Sequence, residues 1–162
     1  MKTSYENILQ ILQTANVAFK IHEHAPSVTY QDAVDYLDFP LENLVKTIGF
    51  RVKEGLWVLA ALPGRDRVDY KKLAAQFGKS RDKLIRLEAA EVEEKLGYAV
   101  GTVAPFALND LTVVIIDEQV MRLEPVFCGT GRHDRTLEIS STDLLTLSGG
   151  RVAPISQEQS AG

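Results

Sequence analysis

The sequence is poor in cysteine, and this scarcity excludes several kinds of site. Cys128 is the only cysteine among 162 residues, so no intramolecular disulfide can form and no multi-cysteine zinc site can be assembled. A chain without disulfides suits a reducing compartment. We therefore expect a cytoplasmic protein.

Long hydrophobic runs and an excess of positive charge are also missing. No apolar run approaches the ~18 residues that cross a bilayer, and the N-terminal residues lack the pattern of a signal peptide. The 18 basic and 22 acidic residues leave a formal net charge of −4, whereas nonspecific duplex binders usually carry a basic excess. We expect no membrane association, and any contact with nucleic acid should be local and governed by shape.

What the sequence does contain is a succession of helix and strand patterns. Thr3 with Glu6 forms a capping-box pattern before an apolar stripe, which predicts a first helix. Residues 56–62 are apolar at every position, which is typical of a central strand buried on both faces. Further strands are predicted at 18–23, 46–53, 112–116, 125–128 and 136–139, and further helices after Thr29, after Asp69, at 89–96 and after Ser140 or Ser141.

These elements predict an α+β (mixed α/β) fold in which helices flank a mixed β-sheet. The prediction follows because strands occur both in hairpins and singly between helices, and because no repeat or linker divides the chain. We expect one domain over residues 1–155, followed by a polar, frayed tail at 156–162.

Lys46 is the most informative single residue. In a strand of period two it shares a face with Ile48, Phe50 and Val52, so its aliphatic stem begins on an apolar surface. Such a lysine either extends its ammonium to solvent at a sheet edge or is held in a cleft where the ammonium meets a ligand. Position alone leaves both interpretations open.

Two segments rich in glycine are candidate sites for backbone recognition of a ligand. Residues 97–105 combine two glycines, two alanines and a proline, and residues 129–131 read Gly-Thr-Gly. Small residues let backbone N–H groups approach a ligand, as in oxyanion holes. The alternative is a tight connection in the first case and a simple hairpin turn in the second.

Three other groups of residues are weaker candidates for a functional site. His22 and His24 share a strand face that could suit a metal, but no matching third ligand is evident. Cys128 with His133 could form a thiol–base pair, although a small buried cysteine is the more common case. The basic stretch at 71–86 is either a solvated helix face or a phosphate-facing surface.

Five motifs, taken together and in order, resemble the YbaK/ProX family, whose members are similar to the editing insertion domain of bacterial prolyl-tRNA synthetases. The resemblance covers about residues 5–147 and implies a mixed, barrel-like sheet flanked by helices. The motifs are VKTIGF at 45–50, VDYKKLAAQFG at 68–78, GYAVGTVAPF at 97–106, VVIID at 113–117, and CGTGR…LEIS…DLL from 128 to 145.

The resemblance also implies a set of site residues. Lys46 matches the strand lysine most closely tied to activity, and Gly101 and Pro105 match a GxxxP loop whose backbone faces the aminoacyl ester. Gly129 lies on the glycine-rich turn that lines the same pocket. Thr102 stands where many members have a second glycine, so it is expected to narrow the pocket or to offer a hydroxyl to the substrate.

The function implied by the resemblance is hydrolysis of mischarged aminoacyl-tRNA in trans. An aminoacyl ester is already activated, so positioning, a water molecule and oxyanion stabilisation suffice without a strong nucleophile, a metal or a cofactor. The expected partners are the 3′ end of mischarged aminoacyl-tRNA and an aminoacyl-tRNA synthetase. The alternatives are a non-catalytic module that binds a tRNA end, an aminoacyl group or a synthetase, and a thiol hydrolase that uses Cys128 and His133.

Overall fold

Eight strands in the computed structural model, which describes residues 2–158, form two sheets. The strands are β1 (Phe19–Glu23), β2 (Val45–Val52), β3 (Trp57–Pro63), β4 (Leu84–Arg86), β5 (Thr112–Asp117), β6 (Val126–Cys128), β7 (Arg135–Ile139) and β8 (Arg151–Ala153). One sheet is antiparallel with the order β1-β7-β6. The other has the order β4-β2-β3-β5-β8, in which β2 pairs antiparallel with β3 and β4, and β5 pairs parallel with β3 and β8.

Four of the five α-helices begin at a side chain that caps their first backbone N–H groups, and the exception is the short helix at Ala89–Glu91. Thr3 accepts from the Glu6 N–H at 3.1 Å, and Thr29 and Asp32 form a reciprocal capping box. None of the helices within residues 2–158 is long and apolar enough to cross a membrane. The helices are α1 (Ser4–Ala15), α2 (Tyr30–Tyr36), α3 (Tyr70–Ala75), α4 (Ala89–Glu91, continued by a π-helical turn at Val92–Leu96) and α5 (Ser141–Ser148), with 3₁₀ turns at Leu41–Asn43, Arg81–Lys83 and Glu118–Arg122.

Strand β3 is the centre of the molecule, as its uninterrupted apolar sequence predicts. Leu59 and Ala61 face one core cluster, which also contains Ile8 and Leu12 of α1. Their neighbours along the strand, Val58, Ala60 and Leu62, face a second cluster that includes Leu73 and Ala74 of α3. Because both faces are covered, the five-stranded sheet is a rigid base for any side chain that projects from the neighbouring strand β2.

The predicted α+β class with helices around a mixed sheet is confirmed, but the expected barrel is not closed. The strands separate into two sheets that are joined by an isolated bridge between Leu44 and Phe127. Asn43 reinforces this junction, because its side-chain amide donates to the Pro125 carbonyl at 2.6 Å. Only a few residues link the sheets here, so a gap opens between β2 and β6.

Two strands were not predicted from the sequence, and both lie at sheet edges. Strand β4 forms within the basic stretch, and β8 follows the last helix. The first residues of the expected tail are also held in the structure. Ser156 forms an isolated antiparallel β-bridge with Val68, and the Gln157 N–H donates to the Arg67 carbonyl at 2.8 Å. Residues 159–162 of that tail lie outside the described part of the chain.

Candidate active site

A cleft of about 690 Å³ lies at the junction of the two sheets, within the size range of small-molecule sites. One wall is strand β2, and the other includes the turn after β6, residues 27–29, Gly101 and Val103. Three of the five predicted site residues, Lys46, Gly101 and Gly129, line it together. They come from separate parts of the sequence, so the fold brings them to one place.

Lys46 projects from β2 on the face that the strand pattern predicts. It pairs with Leu62 of β3, and Ile48 and Phe50 on the same face pack into the second core cluster. Partial burial is the main cause that lowers the pKa of Lys46 below its usual value of 10.5. The Asp66 carboxylate opposes this shift, whereas the positive charges of Arg86 and Arg67 add to it. The ammonium therefore lies in the cleft, close to other charged groups.

Gly101 presents its backbone to the same cleft. Its φ of +78° lies in the left-handed region that favours glycine, and a Cβ added there would lie 2.8 Å from atoms of Val28 on the facing segment. No hydrogen bond among residues 2–158 uses the Gly101 N–H. An N–H group that is held in place without a protein acceptor is suited to bind the oxygen of a ligand.

The glycine-rich turn is built against the Gly101 loop. A Cβ at Gly129 would overlap the carbonyl oxygen of Val103, so the close approach of the two backbones requires glycine there. The Gly131 N–H donates to the Thr102 carbonyl at 2.9 Å. The sequence interpretation of 129–131 as a simple hairpin turn is therefore incomplete, because this turn also supports the loop that carries Gly101.

Thr102 and Pro105, the other two predicted site residues, do not line the cleft. Both are buried, and the Thr102 hydroxyl donates to the Ala99 carbonyl at 2.7 Å. The expectation that the Thr102 side chain narrows the pocket or offers a hydroxyl to the substrate is wrong for this arrangement. The left-handed conformation of Gly101 brings its own backbone to the cleft and places the next side chain behind it.

His133 connects the two segments that meet at Gly101. Its Nε2 lies 2.7 Å from the Val100 carbonyl oxygen, and its own carbonyl accepts from the Ser27 N–H at 2.8 Å. Since a carbonyl only accepts, Nε2 must carry the proton in the neutral ring. One residue thereby ties together the segments on both sides of the Val28–Gly101 contact.

The geometry disfavours the thiol hydrolase alternative. Cys128 is buried, and burial raises the pKa of its thiol to about 12. His133, the partner proposed from the sequence, uses Nε2 on the Val100 carbonyl instead. The thiol therefore has neither an activating base nor a stabilised thiolate.

His22 in β1 and His24 just after it are bound to neighbouring side chains and backbone. His22 Nε2 lies 2.8 Å from Glu138, and His24 contacts the Ala25 carbonyl and the Thr136 hydroxyl. Within residues 2–158 no cluster of three or more histidine, cysteine, aspartate or glutamate side chains could hold a metal. These contacts account for both rings without a ligand.

Several cleft residues were missed by the sequence interpretation. Arg86 carried a weak signal as the last residue of the basic stretch, but Arg67, Val28 and Thr47 carried none. Thr47 is notable because its hydroxyl oxygen is shielded from solvent and has no hydrogen-bond partner among the described residues. Nothing in a single sequence shows that a strand threonine will be left in this state.

Comparison of the sequence with known protein families assigns the chain to one of them. Residues 24–147 match the aminoacyl-tRNA editing domain family. This range contains all the residues that line the cleft except Gln157. The chain belongs to this family, as the five motifs indicated.

Two related sequences and one solved structure show how far this similarity extends. EbsC of Enterococcus faecalis, to which Cys-tRNA(Pro)/Cys-tRNA(Cys) deacylase activity is attributed, is 21% identical over 156 residues, which is 94% of each chain. A proline–tRNA ligase of Lactococcus lactis is 29% identical over 136 residues, which is 78% of this chain and 21% of the ligase. The crystal structure of the hypothetical protein APE2540 superimposes with a TM-score of 0.85 at 26% identity, over 94% of this chain and all of the other.

Proposed function

We propose that this protein is a deacylase that hydrolyses the ester bond of mischarged aminoacyl-tRNA in trans. The observation that carries the proposal is the convergence of the Lys46 ammonium and the unpaired Gly101 N–H in one cleft walled by Gly129. Membership of the editing family supports it. The similarity to EbsC also supports the proposal, because deacylase activity is attributed to EbsC and the two chains match over nearly their full lengths.

The Gly101 N–H is proposed to bind the carbonyl oxygen of the aminoacyl ester. Water adds to the carbonyl carbon, and the bond between that carbon and the ribose oxygen breaks. One proton of the water is transferred to the ribose oxygen, which leaves as a hydroxyl group. Negative charge develops on the carbonyl oxygen during this step, and a donor already in place stabilises that charge without reorganisation. The ester is activated, so no protein nucleophile is required.

Lys46 is proposed to contact the ribose side of the same ester. Its stem is held by the apolar face of β2, so the ammonium has a restricted range of positions. A positive charge there supports the developing oxyanion and orients the attacking water. The lowered pKa of Lys46 is consistent with a partly desolvated site.

The proposal is tested by a deacylation panel. Alanyl-, cysteinyl-, seryl- and threonyl-tRNA(Pro) are incubated with the protein, and ester loss is compared with spontaneous hydrolysis and with correctly charged prolyl-tRNA(Pro). Acceleration on at least one mischarged tRNA, with prolyl-tRNA spared, is the expected result. A parallel arm with added prolyl-tRNA synthetase tests the synthetase as a partner. No acceleration in any arm would favour the non-catalytic binding module.

A further inference from the structure

The positive charges in the cleft fall into two groups with different surroundings. Arg132 forms two hydrogen bonds with Asp134, at 2.9 and 3.0 Å, and its guanidinium lies over the ring of Tyr5. Arg135 is paired with Asp134 at 3.1 Å and with Glu23 at 3.4 Å. These two arginines are committed to carboxylates of the protein, so their charges are largely balanced.

The second group, Arg67 and Arg86, is exposed and lines the cleft near Lys46. Neither guanidinium occurs in an ion pair among residues 2–158. Arg86 stands directly opposite Phe50 in the antiparallel pair of β4 and β2, and therefore on the same sheet face as Lys46. Their influence on the pKa of Lys46 agrees with this proximity. Asp66 is the nearby acid, and it offsets part of this positive charge.

The segment that carries Arg67 is held firmly, although it lies between secondary-structure elements. Gln157 donates its N–H to the Arg67 carbonyl at 2.8 Å, and Ile155 accepts from the Asp69 N–H at 2.7 Å. Asp117, which is fully buried, anchors this C-terminal segment by accepting from the N–H groups of Ile155 and Ser156. The C-terminal segment therefore fixes the backbone from which the Arg67 side chain reaches the cleft.

We propose that Arg67 and Arg86 form a phosphate subsite that binds the 5′-phosphate of the nucleotide whose ribose carries the ester. The inference rests on the proposed function, because it assumes that the ester lies at Gly101 and Lys46. In one nucleotide the ester oxygen and the 5′-phosphate lie on opposite sides of the ribose, so a cleft that holds the ester needs cations one sugar ring away. Guanidinium groups bind phosphate oxygens through paired N–H donors, which makes arginine suited to this position.

Adenosine 5′-monophosphate and adenosine are the probes that isolate the phosphate. Each is titrated into the full-length protein and followed by the chemical shifts of its backbone amides. We expect the monophosphate to bind about tenfold more tightly than adenosine, because each guanidinium contributes a charge-assisted hydrogen bond. Arg67→Gln and Arg86→Gln should each remove most of this difference. Arg65→Gln is the matched control: it deletes the same charge from an exposed arginine of the same loop that does not line the cleft.

Deacylation kinetics provide the second readout. Arg67→Gln and Arg86→Gln should raise KM by roughly tenfold and change kcat less than about threefold, because a contact to the phosphate is equal in the ground and transition states. Equal binding of the two probes by the unmodified protein, or an equal loss in Arg65→Gln, would overturn the subsite.

The two proposals fail in different ways. A monophosphate preference that depends on Arg67 and Arg86, without hydrolysis of any mischarged tRNA, supports the subsite and contradicts the deacylase. Efficient deacylation that is insensitive to both substitutions supports the deacylase and contradicts the subsite.

Discussion

Gly101 and Val28 pack so closely that no other residue fits at position 101 without displacing its neighbour. A Cβ built on Gly101 would lie 2.8 Å from the Cα, the Cγ1 and the carbonyl oxygen of Val28. Val28 belongs to the segment before α2, which is otherwise remote in sequence. This contact fixes the position of the Gly101 N–H relative to the cleft, and His133 holds both segments through its two hydrogen bonds.

Gly101→Ala should therefore reduce deacylation by about a hundredfold or more, because it displaces the proposed oxyanion donor. It should also lower the free energy of unfolding by about 1–3 kcal/mol, through left-handed strain and overpacking. Initial rates and thermal unfolding measure the two effects.

Gly78→Ala is the control for the strain at Gly101. Gly78 has a φ of +65° and no heavy atom within 4 Å of a Cβ placed on it, and it does not line the cleft. It should show the strain penalty of about 1 kcal/mol with normal activity. A Gly101→Ala protein that retains normal rates would exclude the backbone of Gly101 from the reaction.

Lys46→Ala should leave the fold intact and reduce deacylation by about two orders of magnitude, since it removes the charge proposed to support the oxyanion. Lys46→Arg should not restore the rate. The apolar face of β2 holds the side-chain stem, and at its end a planar guanidinium is wider than the compact ammonium it replaces. Circular dichroism checks the fold, and single-turnover rates check the chemistry.

Lys53→Ala, which removes an exposed lysine just after β2, is the matched control and should be fully active. If Lys46→Ala is as active as that control, the ammonium only extends to solvent, and the alternative interpretation of this residue is correct.

Thr47→Val should make the protein more stable and less active. Removing a buried hydroxyl that has no partner among the described residues relieves a penalty of about 1 kcal/mol. If that hydroxyl bonds the bound substrate, the same change slows deacylation by about tenfold. Chemical denaturation and kcat/KM measure the two effects.

Thr130→Val distinguishes this effect from a general consequence of the substitution. The Thr130 hydroxyl donates to the Arg135 carbonyl at 3.0 Å, so valine there should destabilise the protein instead. Loss of stability in both variants would show that the Thr47 hydroxyl has a partner in the folded protein.

Cys128→Ala should retain activity within a few-fold. The thiol has a pKa raised to about 12 by burial, so it is protonated at any pH at which deacylation would be assayed. For the same reason, iodoacetamide at pH 8 should label the denatured protein and spare the native one, as mass spectrometry can show. Inactivation of the native protein by alkylation of Cys128 would revive the thiol mechanism.

Binding of tRNA should depend only weakly on salt. If the protein neutralises two or three phosphates of the single-stranded 3′ end, the slope of log K against log salt is about −2. Fluorescence anisotropy of a labelled tRNA at several salt concentrations gives this slope. A slope steeper than about −5 would require many more phosphate contacts, and the basic stretch at 71–86 would then be a tRNA-binding surface.

Local patterns were sufficient to predict most of the elements. Some features depend only on residues that are close in sequence, so they can be identified from the sequence alone. These are the helix caps at Thr3, Thr29 and Asp69 and the apolar run of β3. The edge strands β4 and β8 are three residues each and have no apolar period of their own. They exist because a neighbouring strand offers hydrogen bonds, which is information that the local sequence does not contain.

The candidate site divides in the same way. The sequence by itself determined that Lys46 starts from an apolar strand face and that Gly101 and Gly129 lie in segments of small residues, because alternation and glycine content are local properties. Tertiary structure alone decided that these residues share a cleft, that Thr102 is turned away from it, and that Arg67 reaches it from a segment held by the C-terminal residues. Those outcomes depend on the packing of backbone segments that are far apart in the sequence, and the pattern of apolar residues along the sequence does not predict such packing.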